Sequence, residues 1–168
     1  MFKSFSIFLC LIFLFACSPN QEKTNLYSGK VRRVLSGQTI EIAFTETYQT
    51  ATVRITGIDA PDLRQSPWGK TAKERLKELV IGLPVSIETD NLKSDRFNRL
   101  NAHIWQDKTL ISEKLVQEGC VLANIEYPHS YSKLLIDAQE YARLMGYGIW
   151  NPQQALRQTP NQFRSKIK

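Results

Sequence analysis

Four groups in one short stretch, VRITGIDAPD from Val53 to Asp62, could act on a phosphate. Val53 and Ile55 alternate with Thr52, Arg54 and Thr56, the period of a half-buried strand, so Arg54 is a fixed cation on its polar face. Asp59 and Asp62 are two carboxylates either side of Pro61. The proline holds Ala60 extended and leaves its carbonyl free to face an ion. A cation, two acids and a carbonyl donor are the parts of metal-assisted phosphodiester cleavage. Taken alone, the same residues equally fit an Asp-rich turn beside an ordinary surface arginine.

The surrounding elements must place these groups. Lys30 to Leu35 reads as a first strand, Ser36-Gly37 as a tight turn, and Ile40 to Phe44 as a second strand, which makes a hairpin. The Val53 stretch is the third strand. Lys70 to Val80 is an amphipathic helix with Ala72, Leu76 and Leu79 on one face. Val85 to Thr89 and Leu100 to Trp105 complete five strands around a charged turn, Ser94 to Arg99. Helices follow at Ile111–Glu118, with Gly119 as its C-cap, and at Ser132–Met145. The expected class is α+β, a five-stranded OB-type β-barrel with three helices, a fold that often binds nucleic acid.

The chain of 168 residues carries a formal net charge of +6, which suits a polyanion or an anionic membrane surface. Met1-Phe2-Lys3 and the apolar run Ile7–Ala16 read as a signal peptide, too short to span a bilayer comfortably. Leu14-Phe15-Ala16-Cys17 resembles a bacterial lipoprotein cleavage box. It implies export to the cell envelope and a lipid on Cys17 that holds the protein on a membrane. The expected layout is a signal peptide at 1–16, a tether at 17–28, a domain at 29–152 and a loosely held basic C-terminal tail at 153–168. With Cys10 removed and Cys17 lipidated, Cys120 stands alone in an apolar run and reads as a buried thiol. There is no CxxC and no clustered His/Cys set, which excludes a zinc site of ordinary type.

Six segments in order, VLSGQTIEI, VRITGIDAPD, PWGKTAKERLKELV, SDRFNRLNAHIW, LVQEGCVLA and AQEYARLMGYGIWNP, resemble the staphylococcal nuclease (thermonuclease) family over about residues 29–152. The resemblance implies a calcium-dependent phosphodiesterase acting on DNA and RNA, here as a monomer. It assigns Arg54 and Arg99 as the catalytic arginines and Asp59 and the Ala60 carbonyl as calcium ligands. Asp62 stands in place of a glutamate that orients the attacking water. Its side chain is one methylene shorter, a displacement of about 1 Å that can cost about 10²-fold in rate.

The family pattern Asp-Gly-Asp-Thr is replaced at the hairpin turn by Ser36-Gly37-Gln38-Thr39. Gln38 can offer a neutral amide oxygen to the metal, but two charges are gone, so Ca²⁺ is expected to be weakly held or substituted. Asn98, in place of a glycine, tolerates a left-handed backbone, and Phe97 lacks a hydroxyl the family often has. Lys70, Lys73, Arg32 and Arg33 are candidate steering residues for nucleic acid, or simply solvated charges. His103 and His129 read as a strand-face and an exposed loop residue, and Trp68 as packing or base stacking. The competing function is a domain that binds nucleic acid or a protein and no longer cuts.

Overall fold

The computed structural model describes residues 25–89 and 94–167. Its elements in chain order are β1 (Asn25–Ser36), β2 (Thr39–Phe44), β3 (Thr50–Ile55), β4 (Ile58–Asp59), α1 (Trp68–Val80), β5 (Pro84–Thr89) and β6 (Leu100–Gln106). Then come β7 (Thr109–Leu110), α2 (Ile111–Gln117), β8 (Leu122–Ala123), α3 (Ser132–Met145), a 3₁₀ turn (Gly148–Trp150) and α4 (Pro160–Lys166).

The main sheet runs β3-β2-β1-β5-β6-β7, and a parallel pairing of β3 with β6 closes five of its strands into a barrel. Closure requires curvature, and β1 supplies it. Its first half pairs with β5 and its second half with β2, with register shifts between Val31 and Arg33 and between Val34 and Ser36. The alternation read from sequence fills the interior: Ile40, Ile42, Val53, Ile55, Ile87 and Ile104 are fully buried. α1 seals one side with Ala72, Leu76 and Val80, and Leu79, expected on that face, is only partly buried. Cys120 is buried, and desolvation pushes its thiol up to about 11, which removes the thiolate at neutral pH.

Two boundaries differ from the expected layout. β1 begins at Asn25, so the last residues assigned to the tether belong to the barrel, where Asn25 lies opposite Thr89. The C-terminal segment is not loose. α4 opens with a capping box: Thr159 Oγ1 accepts from the Gln162 N–H, the Gln162 side chain accepts from the Thr159 N–H, and Pro160 sits buried in the first turn. The segment before it is fastened to the loop after β4. Trp68 Nε1 donates to the Gln154 carbonyl and Gln65 Nε2 to the Gln158 carbonyl, both at 2.9 Å. The signal peptide, Cys17 and most of the tether lie outside the described residues.

Candidate active site

Arg54 sits where two strand pairings meet. β2 places Thr39 opposite it and β6 places Asn101 opposite it, while its neighbours Val53 and Ile55 point into the core. Its side chain is 16% exposed. Nη2 donates to the Ile58 carbonyl at 2.9 Å and lies 3.9 Å from Asp59 Oδ1. Nη1 is buried and, among the described residues, has no acceptor. Desolvation is the main reason the guanidinium is pulled down to about 10. Asp59 opposes the shift, and the neighbouring charges of Arg99 and Arg164 add to it. A buried donor with no partner, flanked by two further guanidinium groups, is a place for an anion.

Asp59 ends the short β4, held opposite Leu122 of β8. Its carboxylate is 14% exposed and takes Arg164 Nη2 at 2.8 Å on both oxygens. Gln38 is tied to the same region twice. Its carbonyl accepts the Ile55 N–H at 2.9 Å, and its Oε1 accepts the Ala60 N–H at 2.5 Å. The amide oxygen expected to face a metal is therefore spent on fixing the Ala60 backbone.

Asp62 is held locally. Its Oδ1 accepts from Arg64 Nε at 2.8 Å and its Oδ2 from Arg64 Nη2 at 3.0 Å, a fork-to-fork pair. These hydrogen bonds hold the carboxyl down at about 2. The loop carrying it turns against the start of α1, where a Cβ on Gly69 would collide with the Asp62 carbonyl oxygen. Only glycine lets the helix approach that closely.

Arg99 immediately precedes β6, and the parallel register of β3 with β6, Val53 opposite Leu100, brings it to Arg54. Asp95 organises the turn. Its Oδ1 accepts the backbone N–H groups of Phe97 and Arg99, and its Oδ2 takes Arg99 Nε at 3.0 Å and Nη2 at 2.7 Å. Asn98 adopts φ 57°, as its side chain allows. Phe97 is exposed between the guanidinium groups of Arg96 and Arg99, at 4.8 and 5.0 Å from its ring centroid.

The structure thus brings together Arg54, Asp59, Ala60, Gln38 and Arg99. It adds two residues that sequence reasoning missed, Arg164 and Asp95. Asp62 sits on the adjoining loop, within electrostatic reach of Arg164. The steering candidates stand apart. None of Lys70, Lys73, Arg32 and Arg33 lines the hollows that contain Arg54. Arg33 is paired with Glu41 of β2 at 2.9 Å, and Lys70 lines a separate surface hollow with Glu74 and Glu78. His129 is not a free loop residue. It packs 4.8 Å from His103 across from Gly57, and burial lowers both imidazoles, His103 to about 4. Trp68 packs on the C-terminal segment through its hydrogen bond to Gln154.

A calcium ion needs several converging oxygens with net negative charge. Of the three donors named for it, the Asp59 carboxylate is engaged by a guanidinium and the Gln38 oxygen by a backbone N–H. Among the described residues no group of three His, Cys, Asp or Glu side chains could hold a metal. The donor set as arranged does not fit a divalent ion.

Residues 52–152 match the family described as Staphylococcal nuclease homologue, a span that includes Arg54, Asp59, Asp62 and Arg99 but neither Gln38 nor Arg164. The chain is 29% identical over 140 residues to a thermonuclease of Staphylococcus hyicus, covering 80% of this chain and 82% of that protein. It is 29% identical over 160 residues to an uncharacterized endonuclease of Haemophilus influenzae, covering 95% and 84%. With endonuclease YncB of Bacillus subtilis it shares 30% over 144 residues, covering 80% and 65%. A family match over most of the chain, joined to a closed five-stranded barrel with both arginines at one site, leads to one conclusion: this chain belongs to the staphylococcal nuclease family.

Proposed function

We propose that this protein is a nuclease that hydrolyses phosphodiester bonds in DNA or RNA, held at the cell envelope through a lipid on Cys17. The observation that carries the catalytic part is the orphan Nη1 of Arg54, buried beside Asp59 and within reach of Arg99. A phosphodiester oxygen satisfies that donor. Arg54 and Arg99 then face the charge that builds on phosphorus, in a site where their hydrogen bonds need little reorganisation. Asp62, which stands where the family has a glutamate, is the residue we assign to orient water. Held at about 2, it is a weak proton acceptor at neutral pH, so its contribution is geometric unless Arg64, which is 62% exposed, swings away. Calcium, expected from the family pattern, would have to displace Arg164 from Asp59 and share the Gln38 oxygen with the Ala60 N–H.

The test is digestion of denatured DNA and of RNA by the full chain in detergent, with millimolar calcium and, separately, with a chelator. Cleavage in either condition, lost in Arg54→Ala, is the expected result. A folded protein that cuts neither nucleic acid in either condition overturns the reading. One feature favours a second reading, a domain that binds without cutting: Ser36 and Gln38 stand where the family places acids. That reading predicts binding without turnover and a gain of cleavage in Gln38→Asp combined with Asp62→Glu. Palmitate labelling that disappears in Cys17→Ser checks the anchor.

A further inference from the structure

The C-terminal arm enters the site with a side chain that the family match does not cover. Arg164 donates Nη2 to both oxygens of Asp59 at 2.8 Å, the carboxylate a metal would need. The contact is built in. α4 is capped at its start, Phe163 lies 5.7 Å under the Arg64 guanidinium, and the segment before α4 is bonded to Gln65 and Trp68. A loose plug would have no such fastening. The ion pair also uses one nitrogen only. Among the described residues Nε and Nη1 of Arg164 carry no hydrogen bond, and the side chain is 35% exposed, lining a cavity of about 330 Å³ with Arg54, Asp59, Asn124 and Asn161. A guanidinium can hold a carboxylate on one edge and a phosphate on another.

The charges match as well. With Ser36 and Gln38 in the hairpin turn, the site has lost the acids that make a divalent ion welcome, and a single positive charge balances Asp59. Gln38 has taken up the backbone of Ala60 instead of a metal. Arg54 Nη1 still lacks an acceptor beside this pair.

We propose that the guanidinium of Arg164 takes the position of the divalent metal on Asp59 and acts as a third phosphate-binding arginine, so that the site holds a phosphodiester strand without metal. The proposal rests on the nuclease reading for the identity of the ligand. It involves no covalent step: Arg164 supplies one positive charge and directed N–H donors where a metal would supply two charges and coordination positions.

The experiment is equilibrium binding of a short fluorescent single-stranded DNA to the full chain in detergent, in chelator and again in millimolar calcium. Arg164→Ala, Arg164→Gln and Arg157→Ala are measured alongside. Arg157 is exposed on the same arm, away from the cavity, and controls for the loss of one positive charge. The wild type is expected to bind in chelator, with no tightening by calcium. Arg164→Ala should weaken binding in chelator by about tenfold or more, the scale of a charge-assisted pair. Arg164→Gln, which keeps a hydrogen bond to Asp59 without the charge, should weaken it comparably even if the alanine variant folds poorly. Arg157→Ala should change it only as much as a distant charge does.

Binding that requires calcium, or that strengthens in either Arg164 variant, overturns the proposal and makes the arm a cover over a metal site. So does an equal loss in Arg157→Ala. Because the readout is binding, a chain that behaves as expected here but cuts nothing leaves this inference standing and removes the nuclease reading. A chain that cuts only with calcium, and faster without Arg164, does the reverse.

Discussion

Asp59 and Asp62 flank the same proline and are each held by an arginine, yet the two pairs are built differently. Asp59 lies on a strand, is 14% exposed, and is bound by a residue 105 positions away. Asp62 lies on a loop and is bound by Arg64, two positions away and 62% exposed. The first pair exists only because the barrel and the C-terminal arm have both folded. The second needs little more than the local turn. The difference separates a fixed electrostatic device from an adjustable one. Moving Arg164 means detaching an arm, whereas moving Arg64 means rotating a largely solvated side chain off the Phe163 ring.

That contrast can be broken at several points. The largest effect is expected on the strand side, in Arg54→Lys. A lysine keeps the charge but cannot both hold the Ile58 carbonyl and offer a second nitrogen to the substrate. Turnover of denatured DNA should fall about 10²–10³-fold, with an unchanged thermal midpoint. Next comes Gly69→Ala on the loop side. The new methyl meets the Asp62 backbone, which cannot give as a side chain would, so denaturant unfolding should show a loss of about 3 kcal/mol.

Third is Asp59→Ala, which leaves Arg54 buried among like charges. Because Arg164 is 35% exposed, water recovers part of the cost, and about 2 kcal/mol is the expected loss. A double-mutant cycle of Asp59→Ala with Arg164→Ala should show clear coupling, and the same cycle on the solvated pair of Asp62 and Arg64 a weaker one. Equal couplings would abolish the distinction between the two sides.

The smallest effect is expected in Arg64→Ala. The Asp62 carboxyl sits at about 2 in the folded protein, below its ordinary value. Its stabilisation is therefore complete above the ordinary carboxylate range and is lost as pH falls through about 2. Removing Arg64 should raise the Asp62 midpoint in an NMR titration, and the solvent-screened stabilisation that the pair adds at neutral pH should be lost with it. A midpoint that stays near 2 would show that the backbone N–H of position 64 and the charge of Arg164, not the Arg64 side chain, set it.

The contrast also divides what the residues alone disclose. The strand carrying Arg54, the hairpin before it and the left-handed Asn98 follow from local rules of period and backbone preference. The meeting of Arg54 with Arg99 depends on a parallel pairing that no short window contains. Asp95, four residues before Arg99, is a readable local pair inside a turn whose composition alone says only that it is charged. α4 carried a readable signal too. Thr159-Pro160-Asn161-Gln162 has a capping residue, a proline in the first turn and a glutamine three positions on, within a segment whose polarity suggested a loose tail. What remained hidden was the destination of Arg164, since an exposed-looking arginine gives no sign of a carboxylate 105 residues earlier. Gln38 misled for the opposite reason. Its chemistry allows a metal ligand, and only the fold reveals that a backbone N–H has claimed it.

The length of the Asp59–Arg164 link also sets a schedule. A ribosome makes the chain from its N-terminus, so Arg54, Asp59 and Arg99 exist before Arg164 has been added. Contacts of such sequence separation form late, after the local ones have been gained. A nascent chain can therefore close its barrel while Asp59 still lacks its guanidinium. Completion of the phosphate site waits on the arm, and a chain interrupted before it carries two arginines and an acid met only by Arg54 at 3.9 Å, where the finished protein carries three arginines and an acid bound on both oxygens.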